Sequence, residues 1–166
     1  MATADNLQEA FVGESQANRK YLAFAKKAED DGLPQVAKLF RAAAAAETIH
    51  AHAHLRALGG IKTTTENLEA AIAGEGFEFQ EMYPKFIAEA ESEDHQPATM
   101  SFKFANAVEE IHYGLYSDAL KAVQEGNDLP DVKIFICPVC GNTVLGLAPE
   151  KCPICSVPQG KFSEVD

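Results

Sequence analysis

The chain has 166 residues, 46% of them hydrophobic, and a formal net charge of −11, enough to bury a core in one ordinary domain with a small appendage. The acidic excess argues against a nucleic-acid or anionic-membrane partner, since both depend on Lys and Arg meeting phosphate. The N-terminal MATADNLQEAF lacks the basic start and apolar run of a signal peptide, and no segment approaches the ~18 apolar residues of a membrane span, so a cytoplasmic protein is expected.

Helical periodicity runs from near the N-terminus to Gly32, which closes a first helix. Pro34 suits the first turn of a second, which ends at Gly59-Gly60. Thr63 to Thr65 with Glu66 offer caps for a third. The loop from Glu91 to Pro97 separates it from a fourth, which stops near Gly126-Asn127. Four long amphipathic helices with mostly short connections predict an all-α antiparallel four-helix bundle over residues 1–131. After Asp128-Leu-Pro130 the texture changes to the β-like run Val132-Lys-Ile-Phe-Ile136 and then to cysteines, which predicts a small β domain over residues 132–166.

A heptad walk along each helix picks out the inward residues. On the first helix the stripe is Leu7, Phe11, Glu14, Asn18, Tyr21, Ala25 and Ala28; on the second it is Val36, Phe40, Ala43, Glu47, His50, His54 and Ala57. On the fourth it is Phe102, Ala105, Glu109, His112, Tyr116, Ala119 and Val123, so a Glu-x-x-His pair occurs on two helices. The third helix is less regular. Ala71, Gly74, Glu78, Glu81, Lys85 and Ala88 share one side, placing a Glu-x-x-Glu pair where apolar residues are expected.

Any one of these charged residues reads on its own as an edge carboxylate reaching water or a hydrogen-bonded core histidine. Five carboxylates and two imidazoles on inner positions of four helices are a different matter. A domain stable by only ~5–15 kcal/mol cannot bury such a set without counter-charge. Two divalent cations supply it, and oxygen-rich ligation with one imidazole per metal suits iron or manganese. The i, i+3 spacing lets one helix present both partners on one face. Glu75 and Glu110 lie off the stripes and are expected in solvent, while His52, His54 and His95 take no motif role.

All four cysteines fall in the tail, as the pairs Cys137-Pro-Val-Cys140 and Cys152-Pro-Ile-Cys155. Two such knuckles wrap four thiolates around one tetrahedral ion. A tail of about 35 residues has too small a core to stand alone, so the metal supplies much of its folding energy. Spacing alone leaves iron and zinc open, with redox dithiols behind them.

The whole chain resembles the rubrerythrins: Gly13-Glu-Ser-Gln16 on the first helix, Ala46-Glu-Thr-Ile-His50 on the second, Phe77-Glu-Phe-Gln-Glu-Met-Tyr-Pro84 on the third, Glu109-Glu-Ile-His112 on the fourth, then Cys137 to Cys155. The resemblance implies a ferritin-like di-iron domain followed by a rubredoxin-like domain with one iron, zinc being the alternative in recombinant protein. It implies a non-haem peroxidase that reduces hydrogen peroxide to water in defence against oxidative stress. It assigns Glu14, Glu47, Glu78, Glu81, Glu109, His50 and His112 as ligands of two irons, with Glu47 and Glu109 bridging and one iron shifting between Glu81 and His50 as redox state changes. Tyr21 and Tyr83 match positions expected to hold carboxylates in place. The tail iron, on Cys137, Cys140, Cys152 and Cys155, would return electrons supplied by a reductase or a rubredoxin-like donor, in a homodimer or larger homo-oligomer. Two other readings carry distinct expectations. A ferroxidase that reduces oxygen and handles iron would use the same di-iron site and have no purpose for the tail, and a non-catalytic bundle with a zinc ribbon would have none for the inward carboxylates.

Overall fold

The computed structural model describes residues 2–165, which divide into two compact units, one running through Lys62 and the other beginning at Thr63. The chain is mostly helical, with a small three-stranded sheet at its C-terminal end.

The first unit is a helical hairpin of α1 (Ala2–Asp30) and α2 (Pro34–Ala57). Its seam is built from small residues, with Ala25 and Ala28 of α1 buried along with Ala37, Ala44 and Ala51 of α2. Alanine combines the best helix propensity with a side chain short enough for two backbones to approach closely. Asn18 is buried on this seam, where its Nδ2 donates to the Ala44 carbonyl at 2.7 Å and to Thr48 Oγ1 at 2.8 Å, so the amide is satisfied and ties the helices together. The turn between them uses Gly32 at a φ of 74° and then Pro34 in the first turn of α2.

The second unit opens with α3 (Thr64–Phe77), whose N-terminus carries a full capping box: Thr63 accepts from the Glu66 backbone N–H, and the Glu66 carboxylate accepts from that of Thr63. The third helix is not the continuous helix expected. A π-helical turn over Glu78–Met82 separates α3 from α4 (Tyr83–Ser92). Pro84 explains the interruption: it has no N–H for the carbonyl of residue 80 and its ring crowds that carbonyl, so the ladder slips and the Tyr83 N–H bonds Glu78 five residues back. The extra residue also changes which side faces inward. Glu81, Lys85 and Ala88 are exposed, while Glu75, Glu78, Phe79, Tyr83 and Phe86 are at least half-buried.

The helix α5 (Gln96–Gln124) packs along α3 and α4. His95 caps it, its Nδ1 accepting from the Ala98 N–H at 3.2 Å. Tyr113 meets Phe79 edge-on with ring centroids 5.4 Å apart and lies so close to Gly76 that a β-carbon there would sit 3.3 Å from its ring. The strands β1 (Ile134–Ile136), β2 (Thr143–Leu145) and β3 (Ser163–Val165) form an antiparallel sheet in the order β2-β1-β3, with Ile134 paired to both Leu145 and Val165. No helix among the described residues is long and apolar enough to cross a membrane.

Candidate metal centres

In the first unit, Glu14 of α1 and Glu47 and His50 of α2 converge, one ligand atom of each lying within 4.8 Å of the others. His50 Nδ1 is 3.0 Å from Glu47 Oε2, as their i, i+3 spacing requires. The hydrogen bond to Glu47 pushes Glu14 above the usual carboxyl range, and accepting that bond, with His50 alongside, holds Glu47 below it. His54, without a motif role in the sequence, is near enough for its charge to act on Glu14.

In the second unit the matching cluster is Glu109 and His112 of α5 with Glu75 of α3. His112 Nδ1 lies 2.8 Å from Glu109 Oε2 and 3.7 Å from Glu75 Oε1. The expectation that Glu75 points to solvent is thereby corrected: its side chain is only 19% exposed, and burial followed by the negative charge of Glu109 raises its pKa to about 7. Glu78 is raised by the same two causes, burial first. Glu81, expected beside it, is exposed and stands outside the cluster. Ala71 and Gly74 had set the phase of the sequence stripe, and neither residue type says which way a helix faces. The signal that could have found Glu75 was its own i, i+3 spacing to Glu78.

Tyr83 stands where the carboxylates gather. Burial and the charges of Glu78, Glu109 and Glu75 all raise its pKa, so the phenol keeps its proton beside three acids. The ring of Tyr21 packs against Phe24 and Phe40, at ring-centroid distances of 6.3 and 6.1 Å. Glu110 is exposed, as expected.

The four cysteines are reduced and their sulfurs lie within 4.8 Å of one another, with Cys137 to Cys155 and Cys140 to Cys152 each at 3.5 Å. Two similar loops present them. The Gly141 N–H bonds the Cys137 carbonyl and the Ser156 N–H bonds the Cys152 carbonyl, both at 2.9 Å, and Gly141 and Ser156 both take positive φ, 85° and 63°. Burial pushes the Cys140 and Cys155 thiols up. Burial acts on Cys152 too, but backbone N–H groups of Cys155 and Ile154 donate to its sulfur and bring it down to about 7. Asn142 Nδ2 donates to the same sulfur at 3.7 Å.

The donor sets fit iron. Each helical cluster offers two carboxylates and one imidazole at one point, a hard, anionic set, and the tail offers four sulfurs gathered within 4.8 Å of one another, the donor set of a tetrahedral thiolate site. The family model for rubrerythrin matches residues 5–120, and that for the rubredoxin-like domain of rubrerythrin matches residues 135–163. The chain belongs to the rubrerythrin family. Rubrerythrin-2 of Clostridium acetobutylicum is 37% identical, over 96% of this chain and 95% of its own. Nigerythrin of Nitratidesulfovibrio vulgaris is 36% identical, over 98% and 86%. The solved structure of nigerythrin in its fully reduced, all-ferrous state matches with a TM-score of 0.59 at 34% identity, covering 98% of this chain and 86% of that one. As a rubrerythrin the chain is a di-iron protein of an oxidoreductase family, with a di-iron centre on Glu and His side chains and a further iron on the four cysteines.

Proposed function

We propose that this rubrerythrin is a hydrogen peroxide reductase fed with electrons through its four-cysteine site. The observation that carries the reading is the presence, in one chain, of carboxylate–imidazole clusters and a closed tetrathiolate site. A ferroxidase has a use only for the first. The di-iron centre would supply the two electrons that, with two protons, convert hydrogen peroxide to two waters.

The side chains prepare that chemistry. Glu14, Glu47 and His50 would hold one iron, and Glu75, Glu78, Glu109 and His112 the other. In this assignment the helix-three pair is Glu75 with Glu78, and Glu81 is released from the ligand set because it faces solvent. Tyr83 would hold its proton beside the carboxylates and help to fix their orientation. Cys137, Cys140, Cys152 and Cys155 would hold the electron-relay iron, reduced by an external reductase or a rubredoxin-like donor. The working form would be a homodimer or larger homo-oligomer. Supporting that, the helices of the first unit leave large apolar side chains such as Leu39 and Ile49 more than 60% exposed.

The test is anaerobic. Fully reduced protein receives hydrogen peroxide in less than equimolar steps while the visible absorption of the ferric thiolate site is followed. Rapid, stoichiometric return of that absorption is expected. Iron in every site with no reoxidation would overturn peroxide reduction in favour of iron oxidation.

A further inference from the structure

His112 is held at both ring nitrogens, and only one hold belongs to the carboxylate cluster. Nδ1 faces Glu109 and Glu75, while Nε2 lies 3.0 Å from Thr143 Oγ1. Thr143 is the first residue of β2, two residues past Gly141 and three past Cys140. Its hydroxyl is also 3.2 Å from the Gly141 carbonyl.

The direction of these bonds follows from proton counting. A carbonyl only accepts, so the single hydroxyl proton of Thr143 goes to Gly141 and a lone pair of Oγ1 is turned to the imidazole. The ring must then donate from Nε2. With Nε2–H given to Thr143, Nδ1 is left to the two carboxylates, where a metal ion would replace the proton that lies between Nδ1 and Glu109 Oε2. The Gly141 carbonyl is fixed in turn, because that peptide belongs to the cysteine loop closed by the Gly141 N–H on the Cys137 carbonyl at 2.9 Å. The chain His112, Thr143, Gly141 thus runs from a ligand of the helical cluster to the residue bonded to Cys140.

We propose that Thr143 is a positioning residue: it fixes the tautomer and ring orientation of His112 for metal binding through Nδ1 and anchors that ring to the cysteine loop of the same chain. The inference rests on His112 being a metal ligand and is independent of what the centre reduces. Outer partners of ligating histidines are commonly worth 10- to 100-fold in metal affinity, and that is the loss expected for Thr143→Val, which keeps the β-branched shape and removes the hydroxyl. Thr143→Ser should restore affinity.

The probe is zinc, loaded into every site of the full chain with ¹⁵N-labelled histidine. The His112 Nε2–H should be visible and protected from exchange with water in the wild type and in Thr143→Ser, and unprotected in Thr143→Val. Competition with a chelator should then remove zinc from the helical cluster of Thr143→Val at a 10- to 100-fold lower chelator concentration, the tail remaining loaded. An unprotected Nε2–H in wild-type protein whose Nδ1 binds zinc would overturn the role of Thr143. Failure of zinc to shift Nδ1 would instead overturn the ligand assignment of His112, and the inference with it. Were Thr143→Val not to fold, Nε2–H protection in the wild-type and serine proteins decides the question.

Discussion

Glu14, Glu47 and His50 form the same chemical set as Glu75, Glu109 and His112, a Glu-x-x-His pair on one helix joined by a carboxylate from the helix beside it. Their surroundings differ. The His50 side chain is 55% exposed and, among the described residues, its ring is held by Glu47, whereas His112 is 25% exposed and held from both sides. In the open cluster the two carboxyls are driven apart in pKa, Glu14 upward and Glu47 downward, by the hydrogen bond between them. In the closed one, burial adds to the repulsion and Glu75 is driven up to about 7. The motif therefore chooses the donors, and the packing around it decides how strongly they demand a cation.

The largest difference should come from removing the centre of the closed cluster. Glu109→Ala is expected to abolish tight iron binding there and to lower peroxide turnover at least 100-fold, read by metal analysis and steady-state assay, since the cluster would lose the carboxylate that stands beside Glu75, Glu78 and His112 alike. Next, Glu75→Ala should weaken iron binding about 10- to 100-fold while Glu81→Ala changes it less than about twofold. Equal effects of the two would restore the sequence-based pair.

A pH series sharpens the comparison further. The Glu75 carboxyl sits above its ordinary value of 4.5 in the folded chain, so the stability it contributes is complete below that pH and lost as pH rises through about 7. With the helical sites stripped of metal and the tail left loaded, the melting temperature should fall between pH 5 and 8, and Glu75→Gln should flatten that fall. Metal binding displaces the same proton, so affinity at this cluster should rise about tenfold per pH unit below 7. The smallest effect belongs to the scaffold of the open cluster. Asn18→Ala should cost about 1–3 kcal/mol in denaturant unfolding, because the Ala44 carbonyl and Thr48 hydroxyl lose a buried partner.

Much of this was legible in the sequence. The α1 stripe through Glu14, Asn18 and Ala25 is the buried side of that helix, and the cysteine loops announce themselves by spacing alone. Glu75 was missed because Ala71 and Gly74 set the phase of the count, and Glu81 was misplaced because a heptad count assumes one unbroken helical period, which the π turn breaks. Pro84 was in plain view, but its effect falls several residues upstream, where propensity gives no sign. Thr143 was out of reach for another reason. Its partner His112 is 31 residues away, and only folding brings the cysteine loop against α5.

The π turn has a consequence of its own. One residue advances an α-helix by about 100° around its axis, so the extra residue between Glu78 and Met82 works as a fixed angular offset between two rigid rods. Ahead of it, Glu75 is aimed at α5; beyond it, Tyr83 and Phe86 are aimed at Phe102. Deleting a single residue from this turn would leave every side chain chemically intact and swing one rod out of alignment with the other, so the family's acids and its aromatic support can face the same neighbour only while the count between them is kept.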